Sequence, residues 1–253
     1  MNGKVYITGA GPGDKGLITV KAAEALKIAD VVFYDYLVNI ELLDYCKDGC
    51  ESIYVGKKHK NHTCPQEDIN QMIVDYAKKG KTVVRLKGGD PYVFGRGSEE
   101  AIKLLENEIE FEEIPGITSG IAAPAYAGIP VTARNVSSSV AFFTGHPPVS
   151  RERDLQWDKI STGIDTLVFY MGVTNAPTII NNLMKHGRSK ETPVALIRWG
   201  TCPEQEVVKG ELHNIIAKME ALDFRPPAIM VVGEVVSISD KLMAVAEEAQ
   251  MAY

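Results

Sequence analysis

The sequence lacks any run of about 18 consecutive apolar residues, the length that a helix needs to cross a bilayer. Its N-terminus has neither the basic flank nor the small-residue cleavage site of a secretory signal. The first apolar residues, Val5, Tyr6 and Ile7, run directly into glycines and are typical of a first strand. We therefore expect a cytoplasmic protein with no membrane partner.

Cysteine is scarce, with 4 residues in a chain of 253. No two of the cysteines have the two-residue spacing of a zinc knuckle: they are Cys46, Cys50, Cys64 and Cys202. Cys46 and Cys50 also lack the second closely spaced pair that a zinc site would need. Reduced, structural thiols are expected instead of a metal or disulfide framework.

The sequence also has no excess of basic residues. Its formal net charge is −6, whereas proteins that bind nucleic acid usually carry a basic face. We expect no nucleic-acid partner, although one positive pocket in an acidic protein can still bind a small anion. Hydrophobic residues make up 45% and charged residues 24%, and these fractions favour a folded globular chain over a disordered one.

Strand-like and helix-like segments alternate in the first half of the chain. Strands are predicted at residues 4–8, 31–34, 53–55, 82–86 and 111–114. Helical patterns lie between them at residues 22–29, from a Thr63 cap with Pro65 in the first turn to Gly80, and from a Ser98 cap to Glu106. This alternation predicts a mostly parallel sheet with helices on both faces.

The pattern changes near Pro115. A helix of small residues is predicted at 119–127, followed by strands at 140–144, 166–171, 194–197, 207–210 and 228–232. Fewer helices separate these strands, so a mixed sheet is expected here. The fold class is therefore predicted as α/β with two domains, residues 1–115 and residues 116–253.

The first glycine loop, Gly9 to Asp14, follows the first strand, where α/β proteins bind ligands. Its spacing departs from a dinucleotide motif, because the third glycine comes one residue early and Asp14 stands in the expected place. Pro12 also removes a backbone donor that a pyrophosphate would use. A tight turn and a ligand contact both remain open for this loop.

The second glycine loop, Gly88 to Gly97, follows a strand and opens a helix. Its 4 glycines within ten residues cost chain entropy that a simple connection would not need. Glycines let a ligand lie against bare backbone, and Asp90 offers an acceptor for hydroxyl or amino groups. We interpret this loop as a ligand-binding loop, with a simple turn as the alternative.

Both loops resemble those of the tetrapyrrole methylase family, as do Val55-Gly56-Lys57-Lys58, the Pro-Gln-Glu-Asp-Ile-Asn stretch at 65–70 and Pro-Gly-Ile-Thr-Ser at 115–119. The resemblance extends from about Val5 to Val236, with Ser98 standing where a glycine is more usual. The second loop and residues 56–70 are most similar to members that act on uroporphyrinogen III. The resemblance implies a two-domain fold with S-adenosylmethionine in the interdomain cleft.

The implied reaction is C-methylation of uroporphyrinogen III at C2 and C7, giving precorrin-2 by way of precorrin-1 and releasing S-adenosylhomocysteine. The implied cofactor contacts are Pro12, Gly88, Gly89, Asp90, Val93, Thr118, Ser119, Met171 and Gly200. Asp35 matches the family's proton acceptor and Lys57 its proton donor. From the residues alone, Asp35 would be a helix cap or salt-bridge partner, and Lys57 part of a solvated basic loop.

The tetrapyrrole substrate carries many carboxylates, so basic groups are needed to hold it. The candidates are Lys58, Arg85, Arg96, Arg134 and Arg198. The resemblance also implies a homodimer. Three alternatives remain open: a tetrapyrrole methylase acting on a later corrin intermediate or another carbon, a dinucleotide-dependent oxidoreductase, and a non-enzymatic tetrapyrrole carrier. Delivery of the product to sirohaem, cobalamin or haem d1 is equally open.

Overall fold

The structure is a computed structural model that describes residues 2–56, 65–146 and 155–242. The chain divides into two compact units, Met1–Thr118 and Ser119–Tyr253. The predicted domain boundary near residue 115 lies close to this division. Among the described residues, no helix combines the length and the apolar character that a membrane span requires.

The first unit contains a five-stranded sheet in which every pair of neighbouring strands is parallel. Its strands are β1 (Val5–Gly9), β2 (Val31–Tyr34), β3 (Glu51–Tyr54), β4 (Val83–Lys87) and β5 (Phe111–Ile114), in the spatial order β3-β2-β4-β1-β5. Its helices are α1 (Val20–Ile28), α2 (Gln66–Lys78) and α3 (Gly97–Glu106), with 3-10 turns at Lys15–Leu17 and Ile40–Tyr45. The predicted parallel sheet is confirmed.

Helices cover both faces of this sheet. Successive residues of a strand point to opposite faces, so neighbouring residues of β4 show what packs on each side. Val83 of β4 belongs to the apolar cluster that contains Ile73 of α2 and Leu104 of α3. Val84, the next residue, belongs to the opposite cluster with Leu26 of α1. Burying each such Leu, Ile or Val side chain stabilises the fold by about 1.5–3 kcal/mol. The central strand β4 is therefore packed on both sides.

The helix starts agree with the sequence predictions only in part. The helix predicted from residue 22 begins at Val20, and Thr19, which the sequence did not single out as a cap, accepts a hydrogen bond from the Ala22 N–H at 3.2 Å and caps it. The predicted cap Thr63 lies outside the described residues, and Pro65, predicted in the first turn of α2, instead holds its N-cap position. The predicted Ser98 cap is wrong, because α3 begins at Gly97 and Arg96 holds the N-cap position in a left-handed conformation. Backbone geometry, not a side-chain cap, starts this helix.

The second unit contains a mixed sheet, as predicted. Its strands are β6 (Val140–Thr144), β7 (Thr166–Tyr170), β8 (Pro193–Arg198), β9 (Glu206–Glu211) and β10 (Ala228–Val232), in the order β6-β7-β10-β8-β9. β6 and β7 are parallel, whereas the other neighbouring pairs are antiparallel. Its helices are α4 (Ser119–Tyr126), α5 (Trp157–Gly163), α6 (Ala176–Lys185) and α7 (Ile215–Ala221), with a 3-10 turn at Glu234–Ser237. Phe169, Leu196 and Met230 of the sheet share one apolar core with Leu183 of α6.

Glu112 on β5 forms ion pairs with Lys4, which precedes β1, and with Lys21 of α1, and these ion pairs depend on pH. Lys21 contacts one of its oxygens, and Lys4 Nζ lies 2.9 Å from the other. Hydrogen bonds from Lys21 and then Lys4 lower the pKa of Glu112 from 4.5 to about 2. A carboxyl whose pKa is lower in the folded chain stabilises the fold above its unfolded pKa, and this contribution disappears as the pH falls through the folded value.

We expect Glu112→Gln to lower the urea midpoint of unfolding at pH 7, and the difference from wild type to shrink between pH 4.5 and about 2. Urea titrations at pH 7, 4 and 2 measure this difference. Glu110→Gln is the control, because Glu110 is 74% exposed and a surface ion pair contributes little. A Glu112→Gln deficit that is equally large at pH 7 and pH 2 would show that the ion pairs are not its cause.

Candidate functional site

The two predicted glycine loops lie side by side at one edge of the first sheet. The loop Gly9–Asp14 follows β1 and the loop Gly88–Gly97 follows β4, and these strands are neighbours. Asp35 follows β2, the other neighbour of β4. The carboxyl ends of parallel strands meet at the same edge, which is where open α/β sheets bind ligands. The structure therefore brings both loops and Asp35 together.

The two loops are joined by their backbones. Gly89 N–H donates to the Gly11 carbonyl at 2.7 Å, and Gly11 N–H donates to the Gly89 carbonyl at 3.1 Å. Gly11 has a φ of 79° and Gly89 a φ of 70°, in the left-handed region that favours glycine. Glycine at both positions therefore allows the two loops to pair without strain.

A third segment joins the same contact at Gly116, just beyond β5. A Cβ atom on Gly9 would lie 2.5 Å from Gly116 Cα, and one on Gly116 would lie 2.2 Å from the Gly89 carbonyl oxygen. These distances are too short for any side chain larger than hydrogen. We call Gly9, Gly89 and Gly116 the glycine contact. Here three loops meet backbone to backbone at the carboxyl edge of three neighbouring strands.

Asp90 holds the second loop in place. Its Oδ1 accepts hydrogen bonds from the N–H groups of Tyr92 at 2.8 Å and Val93 at 3.1 Å. Its Oδ2 accepts from Gly116 N–H at 3.1 Å. The carboxylate, predicted from sequence to receive ligand groups, is thus bonded to three backbone donors. It fixes the loop and ties it to the glycine contact.

The end of the second loop is a strained turn. Phe94 and Arg96 adopt left-handed φ values of 56° and 61°, which are unfavourable for residues with side chains. Gly97 N–H donates to the Pro91 carbonyl at 2.9 Å and closes the turn. Arg96 is exposed and pairs with Glu99 at 2.6 Å. The turn therefore presents an aromatic and a basic side chain to solvent.

Asp35 is held at the edge of the sheet by an ion pair. Its Oδ2 accepts from Arg85 Nη2 at 3.0 Å, and its Oδ1 accepts from Gly88 N–H at 3.4 Å. The carboxylate is 28% exposed. It is a salt-bridge partner, one of the two roles that the residues alone indicated, and it lies beside the second loop.

Arg85 does not suit its predicted role as a binder of substrate carboxylates. Its side chain is only 4% exposed. It also donates to Glu100 and to the carbonyls of Phe33 and Leu86. β4 is the central strand, so a side chain there lies beneath helices and faces no solvent. The geometry assigns Arg85 to the scaffold of Asp35.

The remaining basic candidates lie in different settings. Arg134 is exposed and has no ion pair among the described residues. Arg198 pairs with Glu206 at 3.2 Å. Lys57, the predicted proton donor, and Lys58 lie outside the described residues.

Two predicted cofactor residues of the second unit, Met171 and Gly200, lie on strained turns after strands. Met171 follows β7 with a left-handed φ of 55° and is 42% exposed. Gly200 follows β8 between Trp199 and Thr201, both left-handed. A Cβ on Gly200 would lie 2.2 Å from the Ala123 Cβ, so α4 packs against this turn. Non-glycine residues held in such conformations cluster at functional sites.

The other predicted contacts are placed as follows. Pro12 is half-buried in the first loop, and Val93 is half-buried in the second, where its N–H bonds Asp90. Thr118 is buried at the end of the first unit, and Ser119 begins α4.

Glu100 was missed by the sequence interpretation. It is buried on α3, where its Oε1 accepts from Arg85 Nε and Lys87 Nζ, both at 3.0 Å. The sequence of β4 could have indicated such a residue, because Arg85 and Lys87 are two residues apart in an otherwise apolar strand and therefore lie on one face. Cations on one face of a buried strand require a buried counter-charge.

The thiols show no metal-binding arrangement within the described parts of the chain. No group of three or more His, Cys, Asp or Glu residues there is arranged to hold a metal ion. Cys46, Cys50 and Cys202 form no disulfide among the described residues, and burial raises the pKa of Cys46 to about 12. A thiol with so high a pKa is a poor nucleophile at neutral pH.

Comparisons with known proteins agree on one family. Residues 4–216 match the family model described as Tetrapyrrole (Corrin/Porphyrin) Methylases. A uroporphyrinogen-III C-methyltransferase of Priestia megaterium is 54% identical over 237 residues, covering 94% of this chain and 100% of the relative. One of Bacillus subtilis (strain 168) is 52% identical, covering 95% and 93%. A solved uroporphyrin-III C-methyl transferase from Thermus thermophilus, complexed with S-adenyl homocysteine, is 36% identical with a TM-score of 0.79, covering 93% and 100%.

We expect Gly116→Ala to destabilise the protein by about 1–3 kcal/mol, because the added methyl overlaps the Gly89 carbonyl and forces the loops apart. Denaturant unfolding measures the loss. Gly163→Ala is the matched control, because a Cβ there meets nothing within 4 Å. If both variants unfold at the same midpoint as wild type, the three backbones do not approach as closely as described.

Proposed function

Because the chain belongs to the tetrapyrrole (corrin/porphyrin) methylase family, we propose that it methylates uroporphyrinogen III at C2 and C7, using S-adenosylmethionine as methyl donor. The product is precorrin-2, formed by way of precorrin-1, with release of S-adenosylhomocysteine. The observation that carries the proposal is 54% identity, over 94% of this chain, to a protein named uroporphyrinogen-III C-methyltransferase. The two ring positions and the intermediate come from the family resemblance. The Thermus relative complexed with S-adenyl homocysteine supports the choice of cofactor.

The residues of the first unit fit a cofactor of this kind. A sulfonium cation joined to an adenosine needs an apolar surface and a few polar anchors. The glycine contact gathers backbone amides at the carboxyl edge of the sheet, and Gly88 packs against the apolar side chain of Leu37, where a Cβ would lie 2.8 Å from the Leu37 Cβ. We assign cofactor contacts to the residues named from the family resemblance: Pro12, Gly88, Gly89, Asp90, Val93, Thr118, Ser119, Met171 and Gly200. When bound, the cofactor supplies an activated methyl group.

Asp35 is the proposed proton acceptor. When a pyrrole α-carbon gains a methyl group, the ring becomes positively charged, and loss of a proton restores neutrality. Asp35 lies at the carboxyl edge of β2, beside Gly88 of the second loop, with its carboxylate partly exposed. Lys57 remains the proposed proton donor on the basis of the family resemblance alone.

Arg96 and Arg134, both exposed, and Lys58 are the proposed partners of substrate carboxylates. Arg96 lies on the strained turn of the second loop and already binds a carboxylate, that of Glu99. A guanidinium that binds one carboxylate with two nitrogens offers the geometry that a propionate or acetate side chain requires. Arg85 is not included among these partners, because its side chain is buried and forms ion pairs with Asp35 and Glu100.

Positioning should contribute more to the rate than proton transfer. Holding two reactants in attack geometry contributes roughly 7–11 kcal/mol. A general base contributes about 10²–10⁴-fold, and about 1.36 kcal/mol corresponds to each tenfold. The backbone framework that positions the reactants is therefore more important than Asp35 itself.

We also propose a homodimer that acts in the cytoplasm and supplies precorrin-2 for sirohaem or cobalamin synthesis. The family resemblance supports the dimer. The reduced thiols of Cys46 and Cys50 agree with a reducing compartment.

Mass spectrometry of the tetrapyrrole tests the proposed reaction. After anaerobic incubation with S-adenosylmethionine and uroporphyrinogen III, we expect two added methyl groups and two molecules of S-adenosylhomocysteine per tetrapyrrole. No methylation would reject the proposal. Methylation of a corrin intermediate alone would indicate a later step. Tetrapyrrole binding without methylation would indicate a carrier, and oxidation of a nicotinamide cofactor an oxidoreductase.

We expect Asp35→Asn to lower turnover by about 10²–10⁴-fold, because an amide cannot accept the proton. S-adenosylhomocysteine affinity, measured by calorimetry, should change little. Asp75→Asn is the control, since Asp75 is an exposed residue of α2 that binds Gln71. Wild-type turnover of Asp35→Asn at saturating substrate would show that Asp35 is not the base.

A further inference from the structure

Four ionisable side chains form a cluster beneath α2 and α3. Arg85 and Lys87 extend from β4, Glu100 lies on α3, and Asp35 follows β2. The side chains of Arg85, Lys87 and Glu100 are each 5% exposed or less. Two carboxylates therefore face two cations, with one member of the cluster, Asp35, reaching the edge of the sheet.

Glu100 is the centre of this cluster. Its Oε1 accepts three hydrogen bonds, from Gln66 Nε2 at 3.1 Å and from Arg85 Nε and Lys87 Nζ at 3.0 Å. Its Oε2 is buried and has no hydrogen-bond partner among the described residues. A buried carboxylate oxygen without a hydrogen-bond partner lowers the stability of the fold. Apolar side chains of similar volume often stabilise a protein as much as a buried ion pair does, or more. Stability alone does not explain the cluster.

The guanidinium of Arg85 has one orientation. Glu100 binds its Nε, and the carbonyls of Leu86 and Phe33 accept from its Nη1 at 3.0 and 3.3 Å. Because the group is planar, these bonds determine where Nη2 points, and it donates to Asp35 Oδ2 at 3.0 Å. The other Asp35 bond, from Gly88 N–H, is longer at 3.4 Å. Arg85 is thus the main restraint on the Asp35 carboxylate.

Lys87 does not offer an equivalent restraint. Its Nζ binds Glu100. Burial, and then repulsion from Arg85, lowers the pKa of Lys87. A guanidinium, unlike an ammonium, presents its donors in one plane with a fixed geometry.

We infer that Arg85, clamped by Glu100, is a positioning residue that sets the direction of the Asp35 carboxylate for proton abstraction, a role that rests on the proposed function. Arg85 touches neither substrate nor cofactor in this assignment. It acts through Asp35, and Glu100 acts through Arg85.

A double-mutant cycle between Arg85 and Asp35 tests this role. Arg85→Lys keeps a cation and loses the planar fork. We expect it to lower kcat roughly tenfold or more, with KM for S-adenosylmethionine and the affinity for S-adenosylhomocysteine changed less than about twofold. In an Asp35→Asn background the same substitution should change kcat by less than about twofold, because residues that act as a unit are not additive. Equal losses in both backgrounds would overturn the inference.

A spectroscopic measurement separates this inference from the proposed function. In the full chain labelled with carboxyl-¹³C aspartate, the Asp35 resonance is the one lost in Asp35→Asn. We expect Arg85→Lys to move that resonance, because the carboxylate loses its oriented donor. An unmoved resonance would overturn the inference even if the enzyme is active. A moved resonance in a protein that does not methylate uroporphyrinogen III would reject the proposed function while the clamp on Asp35 stands.

Two further variants separate loss of the Arg85–Asp35 contact from misfolding and from the loss of an unrelated ion pair. If Arg85→Lys does not fold, Arg85→Met combined with Glu100→Met removes one charge of each sign and leaves Lys87 with Asp35. It should show the same loss of kcat and the same resonance shift, and wild-type values for both would overturn the inference. Lys103→Gln is the matched control, because it breaks the ion pair of α3 with Glu67 at 2.7 Å without touching the cluster. It should leave kcat and the Asp35 resonance unchanged.

Discussion

The close approach of three backbone segments at Gly9, Gly89 and Gly116 is the constraint on which the site depends. A Cβ at Gly9 or Gly116 would overlap backbone atoms at 2.2 to 2.5 Å. Only this approach lets Asp90 bond across to Gly116 and lets Gly11 and Gly89 pair. The glycines at these positions are therefore required by the packing of the three backbones against one another.

The central strand β4 connects this contact to the rest of the unit. Val83 and Val84 are buried in opposite cores, Arg85 and Lys87 enter the charged cluster, and the strand then continues into the second loop. Any displacement of β4 would move the loop and Asp35 together. A parallel strand flanked by neighbours on both sides is well suited to this, because its position is over-determined by two ladders.

Much of the fold was predictable from local patterns. Alternating strand and helix segments predicted a parallel first sheet, and the loss of that alternation after Pro115 predicted a mixed second one. Two predictions failed for one reason. Ser98 has the composition of a helix cap, and Arg85 that of a substrate-binding residue, but the Gly97 turn and the central place of β4 decided otherwise. Residue type alone reports neither the backbone conformation that starts α3 nor the burial of Arg85.

By itself, the sequence determined the secondary structure, the two sheet types, the glycine loops and the family resemblance, because each depends on short spacings along the chain. Only the tertiary structure decided that Gly116 joins the two loops, that Asp90 binds backbone, and that Glu100 orients Arg85 toward Asp35. These contacts join residues far apart in sequence. They arise from strand order, which places β4 between β2 and β1 and is encoded in no single segment.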